Sequence, residues 1–195
     1  MNKIFKIVHT KSKDRVKTLG EVFTPPRVAN EMLDLLKRDK PEIFSENENL
    51  FFEPCCGTGN ILLEIVKRRI EKVYSIYKSE GRDNPEKWAI AFTASTTYGC
   101  DIDLENVNEC RTRLRDFYTS WFTDKTNIPF FVYGSKHWRP VFDLIEENIE
   151  HADVLSGLET DYDKAYESAK RVKTSHEYFK KYGHKVLKVI RDVTN

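Results

Sequence analysis

Neither sign of charge predominates in this sequence: 32 lysines and arginines face 31 aspartates and glutamates, a formal net charge of +1. That balance excludes the global basic excess that advertises nucleic-acid binding, and leaves only local clusters to touch phosphates. No run approaches the roughly 18 apolar residues of a membrane span. Met1 to Val8 is too short and too charged for the apolar core of a signal peptide, so a cytoplasmic protein without a membrane partner is expected. The four cysteines, Cys55, Cys56, Cys100 and Cys110, fit neither a zinc ribbon nor a CxxC redox pair. They read as free buried thiols in a reducing compartment, and no metal site is expected. Internal repeats and low-complexity tracts are lacking as well.

What is present is an ordinary globular mixture. The 195 residues, 39% hydrophobic and 32% charged, suffice for one domain with a core. The segment before Lys17 is basic and weakly patterned, an arm or a short helix. Thr24-Pro25-Pro26 breaks the chain, and Pro26 suits a first helical turn. Val28, Met32, Leu35 and Leu36 then follow at helical spacing up to Asp39.

Leu50-Phe51-Phe52 has strand character and runs into the turn Glu53-Pro54-Cys55-Cys56-Gly57-Thr58-Gly59-Asn60. Ile61, Leu62, Ile65, Val66, Ile70 and Val73 make the next stretch an amphipathic helix. Strand, glycine turn and helix form the opening unit of nucleotide-type α/β folds. Pro85 starts a further helix, and Thr97 to Ile102 reads as a second strand ending in Asp101-Ile102-Asp103. Residues Glu105 to Phe122 read as a helix with Val107, Cys110, Leu114, Phe117 and Trp121 on one face. The run Ile128 to Tyr133 fits either a strand or a buried loop. Val141 to Glu147 reads as a helix and Ile149 to Val154 as a third strand. A stripe from Tyr162 to Val193, broken or kinked at Gly183, predicts a helical tail.

The chemistry concentrates at two places. A glycine turn between strand and helix lets a ligand approach the backbone and offers helix N-terminal N–H groups to an anion. An acid ending the next strand can accept hydrogen bonds from both hydroxyls of a ribose. Asp101 follows the turn by about 40 residues, where the usual dinucleotide fingerprint has ~20, and the turn lacks the G-x-G-x-x-G spacing. Taken alone, such a turn reads equally as a tight loop.

Four segments in order narrow the reading. Gly20-Glu21-Val22-Phe23-Thr24-Pro25-Pro26, Glu53 to Asn60, Tyr98-Gly99-Cys100-Asp101-Ile102-Asp103 and Ala152-Asp153-Val154-Leu155 together resemble the gamma-class adenine-N6 DNA methyltransferases. The departures are mild: Cys55 stands where a small residue is usual and Ile61 where Phe often sits. The resemblance implies an α/β fold, a Rossmann-like class I methyltransferase core with a partial parallel sheet and a helical C-terminal tail. It also implies S-adenosylmethionine (AdoMet) as cofactor. Phe23, Thr24 and Pro25 would border the pocket, with Thr24 near the methionine end. Glu53 would hold the methionine amino group, and the Pro54, Gly57, Gly59 and Asn60 turn would admit the ligand. Asp101 would bind the ribose hydroxyls. Ile102 would pack on adenine or simply join the core. Asp153 would accept from the adenine amino group or cap a helix.

One family element is missing. An adenine-N6 enzyme uses Asn/Asp-Pro-Pro-Tyr/Phe to activate the target amine and stack on the flipped base. Here the last proline is Pro140, and the Pro-Pro pair is Pro25-Pro26. No catalytic residue is therefore expected in the chain. The expected organisation is an arm (1–19), an AdoMet-binding domain (20–158) and a helical tail (159–195). Two accounts fit: a truncated enzyme, or a complete small protein of the phage and restriction-modification type, which the clean tail stripe favours. DNA, and a second subunit or second copy covering an open sheet edge, are the partners this implies beside AdoMet. A subunit, sensor or sequestering protein that binds AdoMet without catalysis is the alternative function.

Overall fold

The computed structural model describes residues 24–45, 49–133 and 135–153. The expectations for the N-terminal arm, for Phe23 and for the tail stripe lie outside the described residues.

Helix α1 (Pro26–Asp39) starts where two prolines fix the backbone. Pro25 is extended (φ −61°, ψ 147°), and Pro26 opens the helix, where its missing N–H leaves no bond unmade. Lys37 and Arg38 occupy the last turn, the favourable pole for cations. Its buried residues are Ala29 and Leu33. Met32 and Leu35, expected on the inner stripe, are about half exposed at 48% and 51%. The periodicity was right and the phase was not, because the apolar residues of α1 spread over more than one face.

Three short strands form a parallel sheet in the order β1-β2-β3: β1 (Phe51–Glu53), β2 (Thr97–Asp101) and β3 (Ile149–His151). In register, Glu53 lies opposite Gly99, and Asp101 opposite His151. Parallel neighbours need long crossovers. The first carries α2 (Asn60–Ser79) and α3 (Pro85–Ser95). The second carries α4 (Leu104–Thr126), a 3₁₀ turn (Phe130–Tyr133) and α5 (Ser135–Asn148). The architecture is mixed α/β and compatible with a methyltransferase core. The third strand is shorter than expected, stopping at His151.

The run Ile128 to Tyr133 is neither strand nor buried loop. Phe131 and Val132 are 70% and 62% exposed on the 3₁₀ turn. A short apolar run carries no information on exposure, and this one has no sheet neighbour. Helix α5 runs through Pro140, nine residues before β3 begins at Ile149, where the sequence suggested a start at Val141. As the sixth residue of the helix, Pro140 lies past the first turn, so its missing N–H costs one internal hydrogen bond.

The core packs α2 against the sheet through Leu62, Ile65, Val66, Ile70 and Val73, all buried. Gly99 makes this approach possible: a Cβ there would lie 2.8 Å from Leu62 Cδ1 and 3.1 Å from Cys56 Cβ. Arg69 shares the apolar face of α2 and is fully buried. Its guanidinium lies 4.9 Å from the ring centroids of both Phe51 and Phe92. It donates to the carbonyls of Asn49 (2.7 Å) and Thr96 (3.4 Å), just before β1 and β2. Burial pushes its pKa down to about 10, so it stays cationic at neutral pH. Among the described residues, no helix is long and apolar enough to cross a membrane.

Candidate functional site

All three strands end on the same side, because the sheet is parallel, and Glu53, Asp101 and Asp153 lie at or just past those ends. In open α/β sheets this carboxyl edge is where ligands bind. Glu53 ends β1, and Pro54 and Cys55 turn the chain away from the sheet. Gly57 and Gly59 both take left-handed backbone angles, φ +51° and +85°. Among the described residues nothing lies within 4 Å of where a Gly57 Cβ would point, so they leave one side of the turn open. At Gly59 a Cβ would meet Cys110 Sγ at 2.6 Å, so the turn sits directly on α4. Gly59 is the N-cap of α2 and supplies no side-chain cap, which leaves first-turn amides available to an anion.

Asp101 ties the edge together. Its Oδ2 accepts from Gly57 N–H at 2.8 Å, and its Oδ1 from Asp103 N–H at 2.9 Å. Asn106 Nδ2 adds a longer contact at 3.5 Å. A carboxylate has about four acceptor positions, so room remains for a ligand hydroxyl. Asp103 in turn caps α4 by accepting from the amides of Glu105 and Asn106. Ile102 is 55% exposed, which removes the reading of it as a core residue. Its carbonyl lies 2.9 Å from His151 Nε2.

Glu53 is partly buried, and desolvation raises its carboxyl above the usual range despite a long hydrogen bond from Cys55 N–H at 3.4 Å. Asp153 is exposed, two residues past β3, in a segment anchored by Ala152 N–H donating to the carbonyl of Asp101. Burial first, then the nearby carboxylates of Asp101, Glu53 and Asp153, raise the thiol of Cys55. Three acids from three strand ends thus act on one point. Cys55 is exposed, against the expectation of four buried thiols; Cys56, Cys100 and Cys110 are buried and free. The turn carries Cys55 outward because its neighbour Cys56 turns inward, its N–H donating to the carbonyl of Cys100. No metal-binding group of His, Cys, Asp and Glu occurs among the described residues.

Thr24 meets the turn through its carbonyl, which accepts from Asn60 Nδ2 at 2.9 Å. Pro25 is the N-cap of α1.

A stretch of this chain is similar to a known methyltransferase. Over 97 residues, half of the chain, it is 31% identical to the type II methyltransferase M.VspI of Vibrio sp. (strain 343). The matched stretch spans 17% of that protein's length. No family model matches the chain, and no solved structure matches it. The similarity supports a relationship to the DNA methyltransferases, at the level of that broad group.

Two residues at this edge escaped the sequence. Asn106 reaches back from α4 to Asp101. Arg113, also on α4, donates through Nη1 to the carbonyl and hydroxyl of Thr58 and to Asn60 Oδ1. An arginine on an amphipathic helix carries no sequence signal that it bonds a turn 55 residues away.

Proposed function

We propose that this chain binds AdoMet at the carboxyl edge of its sheet, as the cofactor-binding part of a gamma-class DNA adenine-N6 methyltransferase. The observation that carries the reading is the convergence of the open glycine turn, Glu53, Asp101 and Asp153 at neighbouring strand ends. The donor set suits the cofactor. The uncapped start of α2 offers N–H groups to the methionine carboxylate. Glu53 gains by meeting the amino group, because an ammonium partner offsets its desolvation. Asp101 keeps acceptor capacity for ribose hydroxyls, exposed Ile102 offers an apolar face to adenine, and Asp153 an acceptor for its amino group. When bound, AdoMet supplies the electrophilic methyl group; the chain's own residues bind and orient it. Phe23 would complete the border beside Thr24.

The chain alone is proposed not to methylate DNA adenine, because its sequence holds no Asn/Asp-Pro-Pro-aromatic motif to activate the amine. A second reading follows from the same observation. The chain acts as a non-catalytic AdoMet-binding subunit or sensor, with a partner subunit or second copy at the β1 edge. Among the described residues strand β1 is at an edge of the sheet and its Phe52 is 50% exposed, features of a surface that invites pairing. The tail (159–195) is the competing cover for that edge. A Rossmann-like core, restriction-modification or phage origin and a cytoplasmic setting belong to the same proposal.

Titration calorimetry with AdoMet tests it. Wild type should bind, and Asp101→Ala should weaken binding about ten- to hundredfold, the loss expected for a charged acceptor. Folded wild type that binds no AdoMet would sink the reading. Labelled-methyl transfer to unmethylated DNA should be absent; transfer that is lost in Asp101→Ala would overturn the inactivity.

A further inference from the structure

The glycine turn is held from behind by one cation. Arg113 stands on the α4 face that also carries Cys110 against Gly59. Its Nη1 reaches the Thr58 carbonyl, Thr58 Oγ1 at 3.0 Å and Asn60 Oδ1 at 2.8 Å. Asn60 passes the connection on, since its Nδ2 donates to the Thr24 carbonyl. Both ends of the Asn60 amide are therefore engaged, which makes Asn60 a bracket within the site wall. Thr58 is buried at 5% exposure, so the relay runs inside the structure.

The charge on Arg113 differs from that of its neighbours. Arg111 and Arg115, two residues to either side, both pair with Glu146. Among the described residues Arg113 has no carboxylate partner and spends its donors on neutral oxygens. It stands behind the uncapped start of α2, at an edge whose other charges, Glu53, Asp101 and Asp153, are negative. An anion at the α2 start would otherwise meet a field of carboxylates.

We infer that Arg113 is a positioning and selectivity residue. It fixes Thr58, Asn60 and Thr24 and makes the turn accept ligands that carry a carboxylate. The inference rests on the proposed AdoMet site, and concerns its methionine end alone.

The test compares two ligands on the full chain. S-adenosylhomocysteine carries the amino-acid carboxylate; 5′-methylthioadenosine keeps the nucleoside and lacks the amino acid. Arg113→Gln should weaken S-adenosylhomocysteine about tenfold or more and change 5′-methylthioadenosine less than about threefold. Arg113→Lys, which keeps the charge and loses the fork, should recover part of the loss. Unchanged binding of S-adenosylhomocysteine by Arg113→Gln overturns the inference, as does an equal loss for both ligands in a folded variant. Hydrogen exchange of the unliganded protein gives an independent reading. Amides 57–61 should exchange faster in Arg113→Gln than in wild type, and equal rates overturn the positioning role. Wild type that binds neither ligand overturns the AdoMet reading instead, and the exchange result then decides Arg113 on its own.

Discussion

The two ends of the three-stranded sheet are built from the same chain segments and treat charge in opposite ways. At the amino end, Arg69 is fully buried, flanked by two phenylalanine rings and bonded to the carbonyls of Asn49 and Thr96. At the carboxyl end, Glu53 and Asp101 are half-buried and Asp153 is exposed, and Asp101 keeps acceptor capacity beyond its bonds to Gly57 and Asp103. A charge enclosed by the protein acts on the fold. A charge that faces solvent is open to a ligand. The difference separates stability from function within a few residues of each strand.

The largest effect should come from breaking the closed end. Arg69→Ala removes the cation between two rings and leaves two strand-end carbonyls without their donor. The expected cost, from the cavity and the two carbonyls left without a donor, is about 3–5 kcal/mol, measured by urea unfolding. Affinity for AdoMet in the protein that remains folded should be unchanged. An affinity loss beyond about threefold would mean that the two ends are coupled and that the comparison fails.

A smaller and opposite effect should come from the open end. Glu53 has a raised folded-state pKa, so its ionisation costs the folded protein stability as pH rises through the carboxylate range. Below that range the carboxyl is protonated in both the folded and unfolded states, and nothing is lost. Glu53→Gln should therefore melt higher than wild type at pH 7, and the advantage should vanish as pH falls through 4. The same variant should bind AdoMet more weakly. Equal melting at pH 7 would show that the open end carries no stored cost.

The smallest effect concerns Cys55. Its thiol is exposed, yet burial and three nearby carboxylates raise its pKa. Thiolate is the reactive form. Alkylation by iodoacetamide at pH 8 should be slower than for a free cysteine peptide, and faster in Asp101→Asn than in wild type. A rate above the peptide's would mean that the carboxylates do not act together at this point.

Much of this was legible in the chain. Apolar spacing located α2 and α4, while the cap that Asp103 supplies to α4 appears only in the structure. Glycine, acid and strand pattern located the parallel β-α units. Arg69 could have been noticed, four residues after Ile65 and four before Val73, in the middle of an apolar stripe. The phase of α1 could not be read, because Met32 and Leu35 are as apolar as Leu33 and only packing chooses among them.

The sequence by itself determined which backbone conformations are available: left-handed turns at Gly57 and Gly59, a helix start at Pro26, and periodic faces on α2 and α4. These are local matters of sterics and spacing, encoded within a few neighbouring residues. Only the tertiary structure decided that Asp101 grips the Gly57 amide 44 residues away, and that Arg113 braces Thr58 across 55. Such bonds depend on where the sheet register and the helix packing bring distant residues together. No local pattern along the chain records that distance.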